Sequence, residues 1–174
     1  AVNLKPHSVT ANRFLLAGLI NARRCSEALS TARKSAALGD RLGLVSEALL
    51  WCGQIEESIT ANEQWAVAAG RSGDDARSEA SELRRALQEE EVAAFWNKRL
   101  EIMRRQGGNA VELAGACAAA GRVEESLDLL DQAYRSHLDL LVWDLASHPK
   151  WDNLRNQPRF QELLRNLKLE PVQK

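Results

Sequence analysis

The sequence predicts an all-α chain, with antiparallel helix pairs stacked in series and closed by a C-terminal capping helix. Three observations carry this reading. Ala and Leu number 26 each, so 52 of 174 residues are those two alone, and both are strong helix formers. Gly (10), Pro (4), Phe (3), Trp (5) and Tyr (1) are scarce, too few for a sandwich, a barrel or an α/β sheet. Apolar residues recur at three- and four-residue spacing between short, regularly placed breaks.

The elements run in order along the chain. Ser8 is placed to cap a helix from Val9 to about Ala22, with Phe14, Leu15, Leu19 and Ala22 at helical spacing. A second helix, about 26–38, puts Ala28, Leu29, Ala32 and Ala36 on one face, and Gly39-Asp40 stops it and caps the next. A third, about 41–52, carries Leu42, Val45, Leu49 and Cys52. Gly53-Gln54 separates it from a fourth, about 55–69, with Ile55, Ile59, Asn62, Trp65 and Ala66. Gly70 to Asp74 is a loop, and Asp74 or Asp75 caps the helical stretch after it. From there to Gln106 no Gly or Pro appears, which gives one long helix or two with a turn near Gln88 to Glu91. Gly107-Gly108-Asn109 is the next break. Helices at about 110–120 and 123–136 flank Gly121-Arg122. The tail holds a short apolar helix (Leu138 to Ala146), the segment His148 to Asp152, and a last helix opened by Pro158.

The pairs repeat. Gly53-Gln54-Ile55-Glu56-Glu57-Ser58-Ile59 aligns with Gly121-Arg122-Val123-Glu124-Glu125-Ser126-Leu127 at an offset of 68, twice 34. Val92 lies halfway, and Ala28-Leu29 stands 30 before Ser58, four residues short of register. Two helices and two turns consume about 34 residues, and one pair cannot bury its apolar faces alone, so pairs stack. The chain is therefore read as a single domain, 1–174. Its pairs fall at about 9–38, 41–69, 75–105 and 110–136, the third degenerate, with a tail cap at about 138–169. This register expects Ile55, Ile59, Trp65, Val123, Leu127 and Leu130 in the core.

Residues 42–69 and 110–136 resemble tetratricopeptide repeats, through Leu49, Gly53, Ile55, Ser58 and Trp65 in one, and Leu113, Cys117, Gly121, Val123, Ser126, Leu130 and Ala133 in the other. The usual large aromatics of the first helix are absent, and Ser stands where Ala is usual. Glu91 to Trp96, the 110–134 pair and Trp151 to Leu164 resemble the C-terminal repeat region found behind bacterial winged-helix regulators, adenylate cyclases and serine/threonine kinases. Gln157 stands where that tail often has Asp. The resemblance implies a right-handed superhelix, a sensory or interaction role, and a catalytic or DNA-binding domain N-terminal to the region.

The first helices of such pairs line an inner face. Here the face expected to bind a partner is Arg13, Ile20, Glu47, Leu50, Arg77, Ser81 and Arg84. Family members that clamp a peptide carboxylate use Lys, Asn and Arg there. Only Arg13, Arg77 and Arg84 are basic, so that peptide-tail function is not expected. An extended peptide or the chain's own neighbouring helix suits the mixed groove better. The expected partner is a protein, a peptide or another domain of the parent chain. The alternative is a small-ligand sensor with its pocket between the last repeat and the tail helix.

Chemistry-bearing patterns are sparse. The sequence has no Gly-x-Ser-x-Gly, no phosphate loop with its Lys and no His-Glu-x-x-His, so no catalytic residues, cofactor or metal are expected. Asp144 and His148, near His137 and Asp139, have i,i+4 metal spacing but lack a third tight ligand. Glu89-Glu90-Glu91 reads as a solvated face. Trp65 and Trp96 read as core, Trp51 as partly exposed, and Trp143 and Trp151 as tail packing. In the tail motif, Phe160 and Leu163 are expected to bury against the final repeat. Arg159 and Gln161 would face out, and Arg155 would pair with Asp152 or cap a carbonyl. A net charge of −1 excludes a strongly basic nucleic-acid footprint, and no apolar run reaches the ~18 residues of a membrane span. Cys25, Cys52 and Cys117 are odd in number and form no Cys-x-x-Cys. They read as buried reduced thiols, which places the chain in the cytoplasm.

Overall fold

Helix formers fill the sequence, and helices fill the structure. The computed structural model describes residues 9–37, 43–136 and 142–169. Its elements are α1 (Val9–Asn21), α2 (Cys25–Ala37), α3 (Gly43–Trp51), α4 (Ile55–Ala68), α5 (Gly73–Arg105), α6 (Ala110–Ala119), α7 (Val123–Arg135), α8 (Val142–Leu145), a 3₁₀ turn (Pro149–Leu154) and α9 (Pro158–Asn166). Consecutive helices pack on one another, and no strand occurs among the described residues. The chain divides into two compact units, residues 1–84 and 85–174. Ser8, Gly39, Asp40, Leu42, His137, Asp139 and the side chains of Glu90, Glu91 and Trp143 lie outside the described residues.

Paired helices turn by one device. In α3/α4, Gly53 sits at φ +80. Its N–H donates to the Leu50 carbonyl at 3.2 Å, and Gln54 N–H donates to Leu49 at 2.9 Å. In α6/α7, Gly121 at φ +77 repeats this, with its N–H on Ala118 and Arg122 N–H on Cys117. This pattern satisfies carbonyls that a helix end leaves open and needs a left-handed residue. The α1/α2 turn uses the same bonds, Arg23 N–H to Ile20 and Arg24 N–H to Leu19, but spends a non-glycine at φ 60.

The hydroxyls just beyond these turns also match. Ser58 Oγ donates to the Ser46 carbonyl at 2.9 Å, and Ser46 Oγ returns a bond to the Ser58 carbonyl at 3.1 Å. In the other pair, Ser126 Oγ donates to the Ala114 carbonyl at 2.7 Å. Ser58 and Ser126 are buried, so each small residue brings two helices close and spends its one donor across the gap.

In the first unit, Leu16, Leu19 and Ile20 of α1, Ala28 and Ala32 of α2, and Leu44 and Ala48 of α3 form one buried cluster. Gly43 opens α3 where a Cβ would meet the Trp65 indole Nε1 at 3.2 Å, so the small residue makes room for that ring. Cys25, at the start of α2, and Cys52, just after α3, are joined by a disulfide with their Cα atoms 5.5 Å apart. The expectation of three reduced thiols is corrected accordingly; Cys117 alone is free and buried. Stacking brings the start of one pair's second helix against the end of the next pair's first helix, a contact that sequence spacing does not reveal.

The segment 75–105 is one helix, not a pair. α5 runs unbroken for 33 residues. Leu87 to Glu91 offers only helix formers and no residue suited to a left-handed turn. Asp74 and Asp75 open it and Arg104 and Arg105 close it, matching the helix dipole. Val92, at the midpoint of the supposed 34-residue register, is 49% exposed.

In the second unit the tail supplies much of the core. Trp151, Leu154, Phe160, Leu163 and Leu164 cluster with Ala114, Ala118, Leu127, Leu130, Ala133 and Leu145. Asn109 opens α6 with a reciprocal cap, accepting from Glu112 N–H while the Glu112 carboxylate accepts from Asn109 N–H. Of the core positions expected from the repeat, Ile59, Leu127 and Leu130 are buried, while Ile55, Trp65 and Val123 are half-buried. Phe160 and Leu163 bury as expected, and so does Trp96, at 7% exposed.

Candidate functional site

The seven residues expected to bind a partner do not form one open face. Arg13, Glu47, Arg77 and Ser81 are exposed. Ile20 and Leu50 are 2% and 7% exposed; they sit on the inward stripes of α1 and α3 and line no open face. Arg84 is half-buried and engaged with α4: its guanidinium donates to Thr60 at 2.9 Å, to Glu56 at 3.2 Å and to Glu63 at 3.3 Å. Arg77 folds back on its own helix start, at 2.6 Å from Asp74. Spacing assigns residues to a helix, but which side of that helix faces out depends on packing that spacing does not fix.

A second locus lies between α7 and α9. Pro158 opens α9 and directs Arg159 onto α7, where Glu124, Asp128 and Asp131 follow one another at i, i+4 and i+7. The guanidinium reaches them at 3.1, 2.8 and 2.6 Å. Its hydrogen bonds to Asp131 and then Asp128 hold its pKa above the ordinary arginine value. Beside it, Asp128, Asp131, Gln132, Arg135, Ser136 and Arg159 line a depression of about 320 Å³. The acidic spacing on α7 is legible in the sequence; Arg159 is exposed as expected, and at the surface its guanidinium reaches across to these carboxylates.

The tail turn holds a third, buried cluster. Asp144 and His148 are each 4% exposed. Lys150 Nζ pairs with Asp144 Oδ2 and lies 5.1 Å from the Trp151 ring centroid. Its stem passes over Gly115, where a Cβ would sit 3.2 Å from Lys150 Cδ. His148 Nδ1 accepts from Lys150 N–H at 3.1 Å and stands 4.0 Å from Asp144 Oδ1. That nitrogen's lone pair is therefore spent on a cap, not offered to a metal. Among the described residues no group of three or more His, Cys, Asp or Glu is arranged to hold a metal. Burial pushes the Asp144 carboxyl above its ordinary value, with Lys150 pulling the other way.

Arg155 does both things expected of it. It pairs with Asp152 at 2.8 Å and donates to the Ala146 and His148 carbonyls. Gln161, expected to face out, is half-buried and donates to the Arg155 carbonyl. Burial pushes the Cys117 thiol up to about 11, which leaves it little thiolate and little nucleophilicity at neutral pH.

No described helix is long and apolar enough to cross a membrane. No family model, no curated protein and no solved structure matches the chain.

Proposed function

We propose that the chain is a non-catalytic interaction module of tetratricopeptide type. It binds a protein or peptide partner, or another domain of its parent chain, and that parent is a bacterial signalling or transcription-regulatory protein. One observation carries the reading. Two helix pairs 68 residues apart share a glycine turn and a buried Ser-hydroxyl bond to the facing helix, at Ser58 and at Ser126. Repeated pairs of this kind work by presenting a rigid surface rather than by assembling reactive groups.

Arg13, Glu47, Arg77 and Ser81, the exposed members of the expected set, are the residues we assign to the partner-binding face. Purified protein is expected to hydrolyse no nucleotide or ester and to bind no duplex DNA. Cross-linking pull-down with wild type and an Arg13→Glu, Arg77→Glu variant tests the face. Partners lost only by the variant support it, and equal recovery by both overturns it.

The depression of about 320 Å³ between α7 and α9 favours a second reading, a small-ligand sensor. Its lining pairs carboxylates with guanidinium groups, which suits a small ligand carrying both charges. A thermal shift with free amino acids that Arg135→Ala abolishes would favour it over the first.

The Cys25–Cys52 bond withdraws the basis for a cytoplasmic location. Disulfides persist in oxidising compartments and are rare where thiols are kept reduced, so we place the module in an oxidising compartment.

A further inference from the structure

We propose that the Cys25–Cys52 bond is a reversible redox clasp: a protein dithiol reduces it without unfolding the chain, and reduction releases α1 and α2 from α3. The position of the bond points to it. Cys25 is the first residue of α2, directly after the α1/α2 turn, and Cys52 directly follows α3, at the α3/α4 turn. Both cysteines are half-buried, and Arg23, Arg24, Ser26, Gly53 and Gln54 beside them are all exposed. The bond thus lies at an open edge of the first unit, where the thiol of a second protein can approach. Disulfides placed this way are the exchangeable ones.

Each hairpin is closed without it. The α1/α2 turn has its own backbone bonds, from Arg23 N–H to Ile20 and from Arg24 N–H to Leu19. The α3/α4 pair has its glycine turn and the hydroxyl bonds between Ser46 and Ser58. The disulfide joins one hairpin to the next, and there the apolar contact is thin. In the cluster that α2 shares with α3, the buried members from these two helices are Ala28, Ala32, Leu44 and Ala48, with Leu29, Val45 and Trp51 half-buried beside them. Three of those four buried residues are alanines, which bury little area, so the covalent link carries a large part of the hold between α2 and α3.

Exchange gives the two sulfurs different parts. A thiolate of the dithiol attacks Cys52 Sγ and forms a new S–S bond there, and the Cys25–Cys52 bond breaks with its electron pair on Cys25 Sγ. Cys25 opens α2, where the first backbone N–H groups have no carbonyl within the helix to bond. That helix end favours the negative charge of the departing sulfur. Glu27, in the same turn, does not oppose it, because Arg24 holds its carboxylate through two bonds of 2.6 Å. The second thiolate of the dithiol then attacks its own partner sulfur in the mixed disulfide and releases Cys52 as a thiolate. Two electrons pass from the dithiol, which becomes a disulfide, and its two protons end on Cys25 and Cys52. In the oxidising compartment assigned above, the clasp stays closed until such a dithiol reaches it. The inference goes beyond the interaction reading and does not depend on it; where that reading holds, Arg13 on α1 and Glu47 on α3 lose their fixed spacing on reduction.

The test incubates the intact oxidised chain with excess reduced thioredoxin in native buffer, alkylates it and maps the labels by mass spectrometry. Cys25 and Cys52 are expected to be labelled and buried Cys117 to stay unlabelled, with oxidised glutathione restoring the bond. On reduction, hydrogen exchange across α1 and α2 should rise about a hundredfold or more, from the chain entropy of the 27-residue loop set free, while α6 and α7 keep their protection. Helix content by circular dichroism should be retained, and a Cys25→Ser, Cys52→Ser chain should exchange like the reduced one. A thioredoxin keeping only its attacking cysteine should be trapped on Cys52. Resistance to thioredoxin until denaturant is added, or loss of helix on reduction, would make the bond a structural staple and overturn the clasp. So would equal exchange of α1 and α2 in the oxidised and reduced chains. Trapping on Cys25 would overturn the parts given to the two sulfurs. None of these readouts involves the partner, so a failed pull-down would sink the polar face and leave the clasp standing.

Discussion

Two adjacent residues of α9 should differ greatly in what they contribute to stability. Phe160 is fully buried, with its ring centroid 6.2 Å from that of Trp151, in the cluster shared with α6 and α7. Phe160→Ala removes that side chain and leaves a cavity, a loss of about 3–5 kcal/mol. Against the roughly 5–15 kcal/mol that holds an ordinary domain together, this is a large share. At about 4–8 °C per kcal/mol for a unit of this size it should lower the unfolding midpoint by roughly 15–30 °C. Arg159 makes three ion pairs, but its side chain is 42% exposed, where water and salt screen it. Arg159→Ala should cost about 0–1 kcal/mol, and less still in high salt. Thermal unfolding followed by circular dichroism, with hydrogen exchange resolving α7, measures both. Arg159→Ala as damaging as Phe160→Ala would show that ion pairs, not burial, hold the tail. Unchanged protection of α7 in Phe160→Ala would sink the capping role altogether. Deleting 148–174 removes Trp151, Leu154, Leu163 and Leu164 as well. At roughly 1.5–3 kcal/mol each, an upper estimate, the remaining pair is not expected to stay folded.

Three further outcomes are expected. Gly121→Ala forces a Cβ into a left-handed backbone at φ +77 and should cost about 1–2 kcal/mol, whereas Arg23→Gly, relieving the same strain at φ 60, should come out neutral or stabilising in denaturant titration. Reducing the Cys25–Cys52 bond frees a loop spanning 27 residues, worth about 3.5 kcal/mol on chain entropy; thiol counting in denaturant should give one reactive thiol before reduction and three after, and three at the outset would refute the pairing. The raised Asp144 pKa means the folded state holds this proton more tightly than the unfolded one, so the group's stabilising contribution is full below the unfolded value and is lost as pH rises through the folded one; the stability of wild type relative to Asp144→Asn should therefore fall with rising pH across that window, and a rise would refute the assignment.

Helix existence and pairing were legible because they depend on local chemistry: propensity, the breaks at Gly53, Gly70, Gly107 and Gly121, and apolar spacing. The tail was legible for the same reason, since Pro158, Phe160 and Leu163 carry their positions in their spacing. What the sequence concealed depends on long-range packing. Ile20 and Leu50 looked available because a first helix of a pair has an inner and an outer side, and only its neighbours decide which is which. The ion pairs of exposed Arg159 were not foreseen because its partners lie on α7, 28 to 35 residues away. The disulfide was hidden for a kindred reason, two cysteines brought together by stacking rather than by any motif. For α5 the sequence left one long helix or two open, and the absence of any residue suited to a turn is what the single helix reflects.

The turns that close these pairs also bear on how the chain reaches its structure. Every bond in them spans three to five residues, and the serine bond behind each glycine turn spans 12. Closing such short loops costs little chain entropy and happens early, so each pair can form a hairpin before any distant contact exists. The 3₁₀ turn and α9 join the α6/α7 hairpin only afterwards. During synthesis or refolding, the apolar side of α7 is thus briefly bare until residues 149–166 arrive. That interval, rather than any property of the finished molecule, is where aggregation would compete with folding.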